Sequence, residues 1–449
     1  MPHDNYGLIL HSSEPRVLLL KGDSGWTLPR HATDEVTEIN AAMKEQTGCE
    51  TTVLYCAYDR YQDDEREEQH RVYALENHTP EVQIRADARW IGLADLATLD
   101  LAGADHRAVL EQCSREMEEI SPAARRVPWG YRGWFALASQ WIREQVALAG
   151  LSAVEGITQV KVSCWSTVLR VATTDDLLYF KASAPVFAYE PLLTRRLAEP
   201  VPSLMPPVLA IDQERHWMLM RDAGTPLSKH KDLRSDPAVW DEVLRQYARA
   251  QIQLIREQKT LLSTGCPDRR LDLLPGLLEE ALRDPSLLLL DQANGLSTSA
   301  YEQLRMSIPE VRAACSELQS HGIPETLHHD DLHGGNILYS AEGFTFFDWA
   351  ECAVTHPFCS LVIVERVFRY GLKFPVETIE HLRDCYLEEW TQFEPIERLR
   401  GAYALAQYLG KLCRALTWGR LIASLAPAER WEYAASYPFW LQVFAGLEE

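Results

Sequence analysis

The sequence predicts an α+β protein in which an α/β domain precedes a structure of two lobes, the first rich in strands and the second helical. Three observations predict this order. Strand-like runs surround one helical segment in residues 5–115, a second β-rich stretch begins near residue 157, and apolar residues recur with helical spacing beyond residue 227. A chain of 449 residues is long enough for two or three domains. We therefore expect an α/β domain at 1–118, a linker at 119–130, a strand-rich lobe at 131–222 and a helical lobe at 223–449.

The first 115 residues contain short runs with the character of strands and one amphipathic helix. Apolar Val36 and Ile39 follow helical spacing between Glu35 and Thr47, and Gly48 then ends the helix. These elements predict an α/β domain. Its strand-like runs are NYGLILH, RVLLLKG, TTVLYCAYDRY, QHRVYALE and the start of ARWIGLADLATL, with the charged loop QDDEREE between the third and the fourth.

This first domain resembles a Nudix domain. The matching residues are Trp26, Leu28 and Pro29, the end of the helix at Lys44–Gly48, and the later segment Arg89–Leu96. The resemblance implies the fold of enzymes whose motif glutamates hold the metal ion that activates water.

Most of those glutamates are replaced in this chain. Aligned on Gly48, the Arg-Glu pair of the motif becomes Ala41 and Ala42, the second glutamate of the Glu-Glu pair becomes Gln46, and only Glu45 remains. A divalent cation needs several hard ligands. We therefore predict a degenerate Nudix-like domain without catalysis, in which Glu45 is a solvated helix residue. A regulatory or ligand-sensing role stays open.

The strand-rich lobe is predicted to begin with the amphipathic helix GYRGWFALASQWIREQVALAG. The runs TQVKVS, STVLRVAT and LLYFKAS follow, and the TDD turn between the last two predicts a hairpin. Alternation along the last run places Lys181 on the face opposite Leu178 and Phe180. Lys181 can therefore face a cleft rather than the core.

Two further strands and then a series of helices complete the predicted lobes. The strands lie at 208–211 and 217–220, and 221–224 predicts the connection between the lobes. Periodic segments such as WDEVLRQYARAQIQLIRE predict the helices, and we interpret their leucine stripes as packing. Glu365, Glu388 and Glu389 lie on such helices and are expected on exposed faces, with contact to an amine as the alternative.

One segment contains carboxylate and amide side chains at a spacing that indicates a chemical function. His328–Leu338 reads HHDDLHGGNIL, and FFDWAE begins at Phe346, ten residues after Asn336. It places the carboxylate of Asp331 five residues before the amide of Asn336 and seventeen before the carboxylate of Asp348. Phosphoryl transfer needs a carboxylate that orients the attacking hydroxyl and accepts its proton. It also needs Mg²⁺, which prefers carboxylate and amide oxygens.

The pattern H-x-D-L-H-x-x-N, formed around His329, Asp331, His333 and Asn336, resembles the aminoglycoside phosphotransferase and choline kinase family, which has a protein-kinase-like fold. The resemblance covers residues 157–449. It implies that Asp331 is the catalytic base, that Asn336 and Asp348 bind Mg²⁺, and that His329 and His333 support the loop. Asp330, where the family often has glycine, is expected either as an exposed loop residue or as a contact to the substrate.

The same resemblance implies an ATP site. Lys181 would hold the α- and β-phosphates, with Glu190 as its carboxylate partner. Ser166, within the segment Ser163–Thr167 that replaces a glycine-rich loop, would contact phosphate oxygens. The adenine edge would meet the backbone around Met220 and Asp222.

Composition limits the partners. The net charge of −21 argues against nucleic acid and anionic membranes as partners, and a cationic acceptor stays open, although acidity also serves solubility. Ten cysteines without a C-x-x-C pair argue against a zinc ribbon and a disulfide scaffold. No signal peptide and no membrane span are expected. These features predict a cytoplasmic protein, and its oligomeric state is not predicted.

The predicted function is an ATP- and Mg²⁺-dependent O-phosphotransferase that acts on the hydroxyl of a small molecule. Acceptors of the aminoglycoside or other antibiotic, sugar and amino-alcohol types all remain open. Two alternatives stay open as well. One is a nucleotide-binding regulator with little catalysis, and the other is a Nudix-type hydrolase with an accessory kinase fold.

Overall fold

The computed structural model describes residues 5–61, 69–79, 84–102, 106–111, 127–430 and 432–448. The chain forms two compact units, residues 1–184 and 185–449. The predicted boundaries at 118, 130 and 222 lie elsewhere and stay a prediction. The charged loop at 62–68 and most of the predicted linker lie outside the described residues.

A seven-stranded sheet and the helix α1 open the first unit. The sequence predicted the helix and five of the strands, and it did not predict the short strands β3 and β4. The strand order is β3-β2-β1-β6-β5, with β4 on β1 and β7 on β2. β1 pairs with β6 in parallel and with β2 and β4 antiparallel, and β2 with β3, β2 with β7 and β5 with β6 are also antiparallel pairs. The elements are β1 Asn5–Leu10, β2 Arg16–Gly22, β3 Gly25–Thr27, β4 Arg30–His31, α1 Val36–Thr47, β5 Thr51–Tyr61, β6 Gln69–Asn77 and β7 Ala88–Gly92.

Alternation along the strands gives this sheet two apolar faces. Leu8 and Leu10 pack into one core, whereas Ile9 packs into the other together with Ile39 and Met43 of α1. α1 ends at Gly48, whose φ of 82° is the left-handed conformation that glycine adopts easily. The helix therefore covers one face through its apolar stripe and stops where the sequence predicted.

The rest of the first unit is a helix and a three-stranded antiparallel arrangement. β9 pairs with both β8 and β10, which confirms the predicted hairpin. The side chain of Gln159 on β8 is buried and bonds to both backbone groups of Val53 on β5: Val53 N–H donates to Oε1 at 2.8 Å, and Nε2 donates to Val53 O at 3.0 Å. This amide links the seven-stranded sheet to β8. The elements are α2 Trp134–Leu148, β8 Val154–Val162, β9 Ser166–Thr173 and β10 Leu177–Ser183.

The second unit is mostly helical. Its helices occur where the apolar periodicity predicted them, and the longest is α11, which has 29 residues. No helix within the described residues is long and apolar enough to cross a bilayer. The helices are α3 Glu190–Leu197, α4 Pro237–Leu254, α5 Gln258–Ser263, α6 Leu274–Ala281, α7 Thr298–Met306, α8 Ile308–Ser320, α9 Leu361–Arg366, α10 Val376–Glu388, α11 Ile396–Ser424 and α12 Ser436–Phe444.

Short strands among these helices hold the loops that carry the polar motif. β11 pairs with β12, β15 pairs with both β13 and β16, and β14 pairs with β17, in each case antiparallel. The segment between β14 and β15, residues 329–336, is the predicted catalytic loop. The strands are β11 Val208–Asp212, β12 Trp217–Arg221, β13 Thr225–Pro226, β14 Thr326–His328, β15 Ile337–Ser340, β16 Gly343–Phe346 and β17 Ala353–Thr355.

Candidate active site

The catalytic loop brings Asp331 and Asn336 into direct contact. Asn336 Nδ2 donates to the backbone oxygen of Asp331 at 2.9 Å and to its carboxylate Oδ2 at 3.1 Å. Both bonds use the amide nitrogen, so the amide oxygen of Asn336 remains for a cation. A carboxamide oxygen is one of the hard donors that Mg²⁺ accepts.

The hairpin of β15 and β16 places Asp348 next to this pair in the fold. Ile337 is paired with Phe346, and Phe347 N–H donates to Asn336 O at 3.2 Å. Asp348 comes one residue later and has φ 61° and ψ 57°. A left-handed backbone is uncommon for a residue other than glycine, and such conformations concentrate at functional sites. The two predicted metal ligands therefore lie at the same end of one hairpin.

His329 fastens the start of the loop to the strand that precedes Asp348. Its ring is fully buried, Nε2 lies 2.9 Å from Phe347 O, and the ring packs at 4.6 Å against Trp349. Burial lowers the pKa of His329, although Phe347 O and the nearby carboxylates oppose the shift. A neutral ring that donates to a backbone oxygen suits a supporting role.

His333 contacts the carboxylate of Asp331. Its Nε2 lies 3.4 Å from Asp331 Oδ2, and its Nδ1 accepts from Gly335 N–H at 2.9 Å. Hydrogen bonding to Asp331 raises the pKa of His333. The arrangement therefore adds positive charge beside Asp331.

Arg414 on α11 is a site residue that the sequence motif did not reveal. It is buried, its Nη2 donates to Asp331 Oδ1 at 3.1 Å, and its Nη1 donates to Asp330 O at 3.0 Å and to the carboxylate of Glu351. Burial raises the pKa of Asp331, but Arg414 and His333 outweigh it and hold the pKa at about 2. Asp331 is therefore a carboxylate at neutral pH.

The pKa of Glu351 shifts in the direction opposite to that of Asp331. Burial raises its pKa to about 7, Arg414 opposes this shift, and the negative charges of Asp331, Asp330 and Asp348 add to it.

The sequence carried one signal for Arg414, which is its position in KLCRALTW, where the neighbouring residues are apolar. A charged residue within an apolar stripe indicates a buried partner.

Asp330 differs from both expectations. Its side chain is only 2% exposed, so it is neither a solvated loop residue nor open to a substrate. Oδ2 accepts from Arg269 Nη1 at 3.3 Å and from the hydroxyl of Thr417. A buried carboxylate requires such partners because desolvation alone is very costly. Asp330 fastens the loop to α11 and to the segment before α6.

The predicted phosphate-binding residues of the first unit lie on its antiparallel strands. Lys181 is a buried residue of β10, in register with Val168 of β9. Ser166 begins β9 and is buried, and its N–H donates to the hydroxyl of Ser163 at 3.1 Å. Ser163 Oγ also accepts from Trp165 N–H at 3.2 Å. The segment between β8 and β9 is thus a tight turn made with serine in place of glycine.

The remaining predicted nucleotide residues belong to the second unit. Glu190 is fully buried in the first turn of α3, and Met220 is buried on β12. Asp222 is exposed, and its Oδ1 accepts from Gly224 N–H at 3.1 Å, which closes a turn. The pairing of Glu190 with Lys181 and the contacts of Met220 and Asp222 with adenine stay predictions.

The acidic residues considered as amine contacts bond to arginines. Glu389 pairs with Arg249 at 2.8 Å, Glu388 with Arg245 at 2.8 Å, and Glu365 with Arg369 at 2.7 Å. These contacts satisfy the carboxylates within the protein. They do not favour a cationic acceptor at these three positions.

Comparison with known proteins gives a family match and distant structural likenesses. Residues 160–416 match the phosphotransferase enzyme family. The match spans more than half of the chain and includes Lys181, Glu190 and the whole catalytic loop. A comparison with curated proteins gives no match.

Several solved structures are similar at low identity. An ethanolamine kinase from Plasmodium vivax is 12% identical over 75% of this chain and 98% of that chain, with a TM-score of 0.43. A macrolide 2′-phosphotransferase from Brachybacterium faecium is 16% identical over 67% and 98%, with a TM-score of 0.43. A choline kinase from Streptococcus pneumoniae is 13% identical over 68% and 99%, with a TM-score of 0.42.

Proposed function

The chain belongs to the phosphotransferase enzyme family, and we propose that it transfers the terminal phosphoryl group of ATP to a hydroxyl group of a small molecule. The observation that carries the proposal is the contact between Asp331 and Asn336, with Asp348 at the same end of the hairpin. This arrangement supports the proposal, because phosphoryl transfer requires a base and hard oxygen donors for the metal ion in one part of the fold.

Each residue has a role in the proposed reaction. Asp331 orients the acceptor hydroxyl and takes its proton. The acceptor oxygen then forms a bond to the γ-phosphorus as the bond between that phosphorus and the leaving ADP oxygen breaks. Because its pKa is about 2, Asp331 is ionised at neutral pH and can accept a hydrogen bond from the hydroxyl.

Asn336 and Asp348 would hold Mg²⁺, through an amide oxygen and a carboxylate that suit this ion. When bound, Mg²⁺ neutralises charge on the phosphates. We assign Lys181 to the α- and β-phosphates and Glu190 to the support of Lys181. Ser166 is assigned to phosphate oxygens, and the backbone around Met220 and Asp222 to adenine. The family resemblance supports these assignments.

We also propose that residues 1–118 form a degenerate Nudix-like domain without a metal site. Gln46, at a ligand position of that motif, uses its amide on protein backbone: Arg30 N–H donates to Oε1 at 3.0 Å, and Nε2 donates to Arg30 O at 2.5 Å. A glutamate could not make the second bond. Glu45 is exposed on α1. Full-length protein should therefore show no Mg²⁺-dependent cleavage of nucleoside diphosphate derivatives, and such cleavage would revive the hydrolase alternative.

An acceptor screen tests the phosphotransferase proposal. Full-length protein, ATP and Mg²⁺ are incubated with hydroxylated metabolites, amino alcohols, sugars and antibiotics, and ADP release and the mass of each compound are measured. We expect at least one compound to gain a phosphoryl group with wild-type protein and none with Asp331→Asn. Asp232→Asn, at an exposed position, is the control and should match the wild type. Binding of ATP without a phosphorylated product would favour the regulatory alternative.

A further inference from the structure

Arg414 contacts both the catalytic loop and the segment that follows Asp348. Its side chain is 7% exposed, and it bonds to Asp330 O, to Asp331 Oδ1 and to the carboxylate of Glu351. Asp331 lies on the catalytic loop, and Glu351 ends the short 3₁₀ helix Trp349–Glu351 that directly follows Asp348. A buried guanidinium is stable only with such partners. The guanidinium of Arg414 therefore links Asp331, the proposed base, to the segment that follows Asp348, a predicted metal ligand.

The two oxygens of Asp331 are held from different sides. Oδ1 bonds to Arg414 at 3.1 Å, whereas Oδ2 bonds to Asn336 Nδ2 at 3.1 Å and lies 3.4 Å from His333 Nε2. Rotation of the carboxylate about its last bond would break contacts on both oxygens. The orientation of the base is therefore fixed before a substrate binds, which is what preorganised catalysis requires.

Arg414 is itself held in place. Its guanidinium carbon lies 5.6 Å from the ring centre of Trp418 and 5.8 Å from that of Trp440. Thr417, one turn further along α11, bonds to Asp330. The planar fork of arginine can bond to two carboxylates at once, whereas lysine offers only a point charge. The site therefore requires the shape of the guanidinium as well as its charge.

We propose that Arg414 is a positioning residue for the phosphoryl transfer: it fixes the carboxylate of Asp331 in the orientation that accepts the proton, and Glu351 fixes Arg414. This inference rests on the proposed function. Arg414 bonds to the carboxylate of Asp331, the proposed base, so its loss should slow the chemical step and leave nucleotide binding intact. A residue that only stabilised the fold would not slow the chemical step while leaving nucleotide binding intact.

The test compares steady-state kinetics of Arg414→Met, Arg414→Lys and the control Arg400→Met. Arg400 is on the same helix, pairs with Asp384 at 2.7 Å and is 47% exposed. Misplacement of a reacting group by about 1 Å costs on the order of 100-fold in rate. We expect kcat of Arg414→Met to fall about 100-fold with KM for ATP within about twofold, Arg414→Lys to be intermediate, and Arg400→Met to match the wild type. Unchanged kcat in Arg414→Met would overturn the proposal, as would equal changes in kcat and KM.

Two further measurements keep the inference testable. Should Arg414→Met not fold, Glu351→Gln replaces it, and an unchanged kcat in that variant overturns the proposal. Should the wild type phosphorylate nothing, the proposed function fails, and crystal structures of wild type and Arg414→Lys then decide the remaining part of the inference, which is that Arg414 orients the carboxylate of Asp331. A reoriented Asp331 carboxylate supports it, and superimposable carboxylates overturn it.

Discussion

The helix α1 in the first unit and the catalytic loop in the second both correspond to carboxylate motifs, but the chain treats them in opposite ways. On α1 two motif positions are alanine, Gln46 bonds to backbone, and the remaining Glu45 is exposed. On the catalytic loop Asp331 is kept, and Asp330 stands where the family often has glycine; both carboxylates bond to arginines, and Asp330 is buried. Burial of a carboxylate is costly without a partner. This difference supports the two proposals that the second unit holds the residues for phosphoryl transfer and that residues 1–118 form a degenerate Nudix-like domain.

Substitution of one carboxylate in each motif gives the largest expected contrast. Asp348→Asn should lower the rate of phosphoryl transfer by on the order of 10³-fold, because it removes a carboxylate proposed to hold the Mg²⁺ whose positive charge stabilises the transferred phosphoryl group. Asparagine tolerates the left-handed backbone of this position, so the fold should be kept. Glu45→Gln should leave the rate unchanged. Initial rates of ADP release measure both, and equal effects would contradict the comparison.

The free energy of unfolding should fall much more when a buried ion pair of the second unit is broken than when an exposed pair of the first unit is broken. Asp330→Ala leaves Arg269 buried without its carboxylate, and removal of one partner of a buried pair costs about 3–5 kcal/mol. Asp87→Ala breaks an exposed pair with Arg85 in the first unit and should cost about 0–1 kcal/mol. Urea unfolding followed by fluorescence measures both. Equal unfolding midpoints for the two variants would show that the pair of Asp330 does not stabilise the second unit.

Acid should destabilise both units through buried histidines. Burial lowers the pKa of His78 to about 4 and that of His356 to about 3. The unfolded chain binds the proton first as pH falls below about 6.5, so this stability is complete above 6.5 and is lost toward the folded pKa, at up to about 1.4 kcal/mol per pH unit for each ring.

A variant isolates the contribution of His356. Its Nδ1 accepts from Phe358 N–H, and asparagine can also accept such a cap bond. His356→Asn should therefore show a smaller loss of unfolding free energy between pH 6.5 and pH 5 than the wild type. Identical slopes would refute the assignment of this pH dependence to His356.

The smallest expected effect concerns Gln46, whose amide stands where the Nudix motif has a glutamate. Gln46→Glu removes the bond to Arg30 O, and loss of one partly exposed hydrogen bond should cost about 1 kcal/mol. The variant should gain no hydrolytic activity, because Ala41 and Ala42 still provide no ligand. Thermal unfolding and a hydrolase assay measure the two outcomes. Hydrolysis by this variant would show that the metal site is nearly intact.

Local pattern predicted much of the fold. Alternation gave the strands of the first unit, Gly48 gave the end of α1, and the spacing of Asp331, Asn336 and Asp348 identified the residues that the β15–β16 hairpin brings together. These features depend on residues that are close in sequence, or on the order of motifs along the chain.

The partners that stabilise the site could not be predicted in this way. Arg414 is 83 residues from Asp331, Arg269 is 61 residues from Asp330, and Gln159 is 106 residues from Val53. Such contacts depend on how helices and sheets pack, and spacing along the chain carries no information about it. The same limit explains why the sequence predicts Asp330 as an exposed loop residue or a substrate contact, and not as a buried partner of Arg269.

Calorimetry and transfer assays on one variant test the central claim most directly. Asp331→Asn keeps the size of the side chain and loses the ability to take a proton. We predict that it binds ATP with Mg²⁺ as tightly as the wild type and transfers no phosphoryl group to the acceptor that the wild type modifies. Transfer at the wild-type rate by this variant would contradict the assignment of Asp331 as the base.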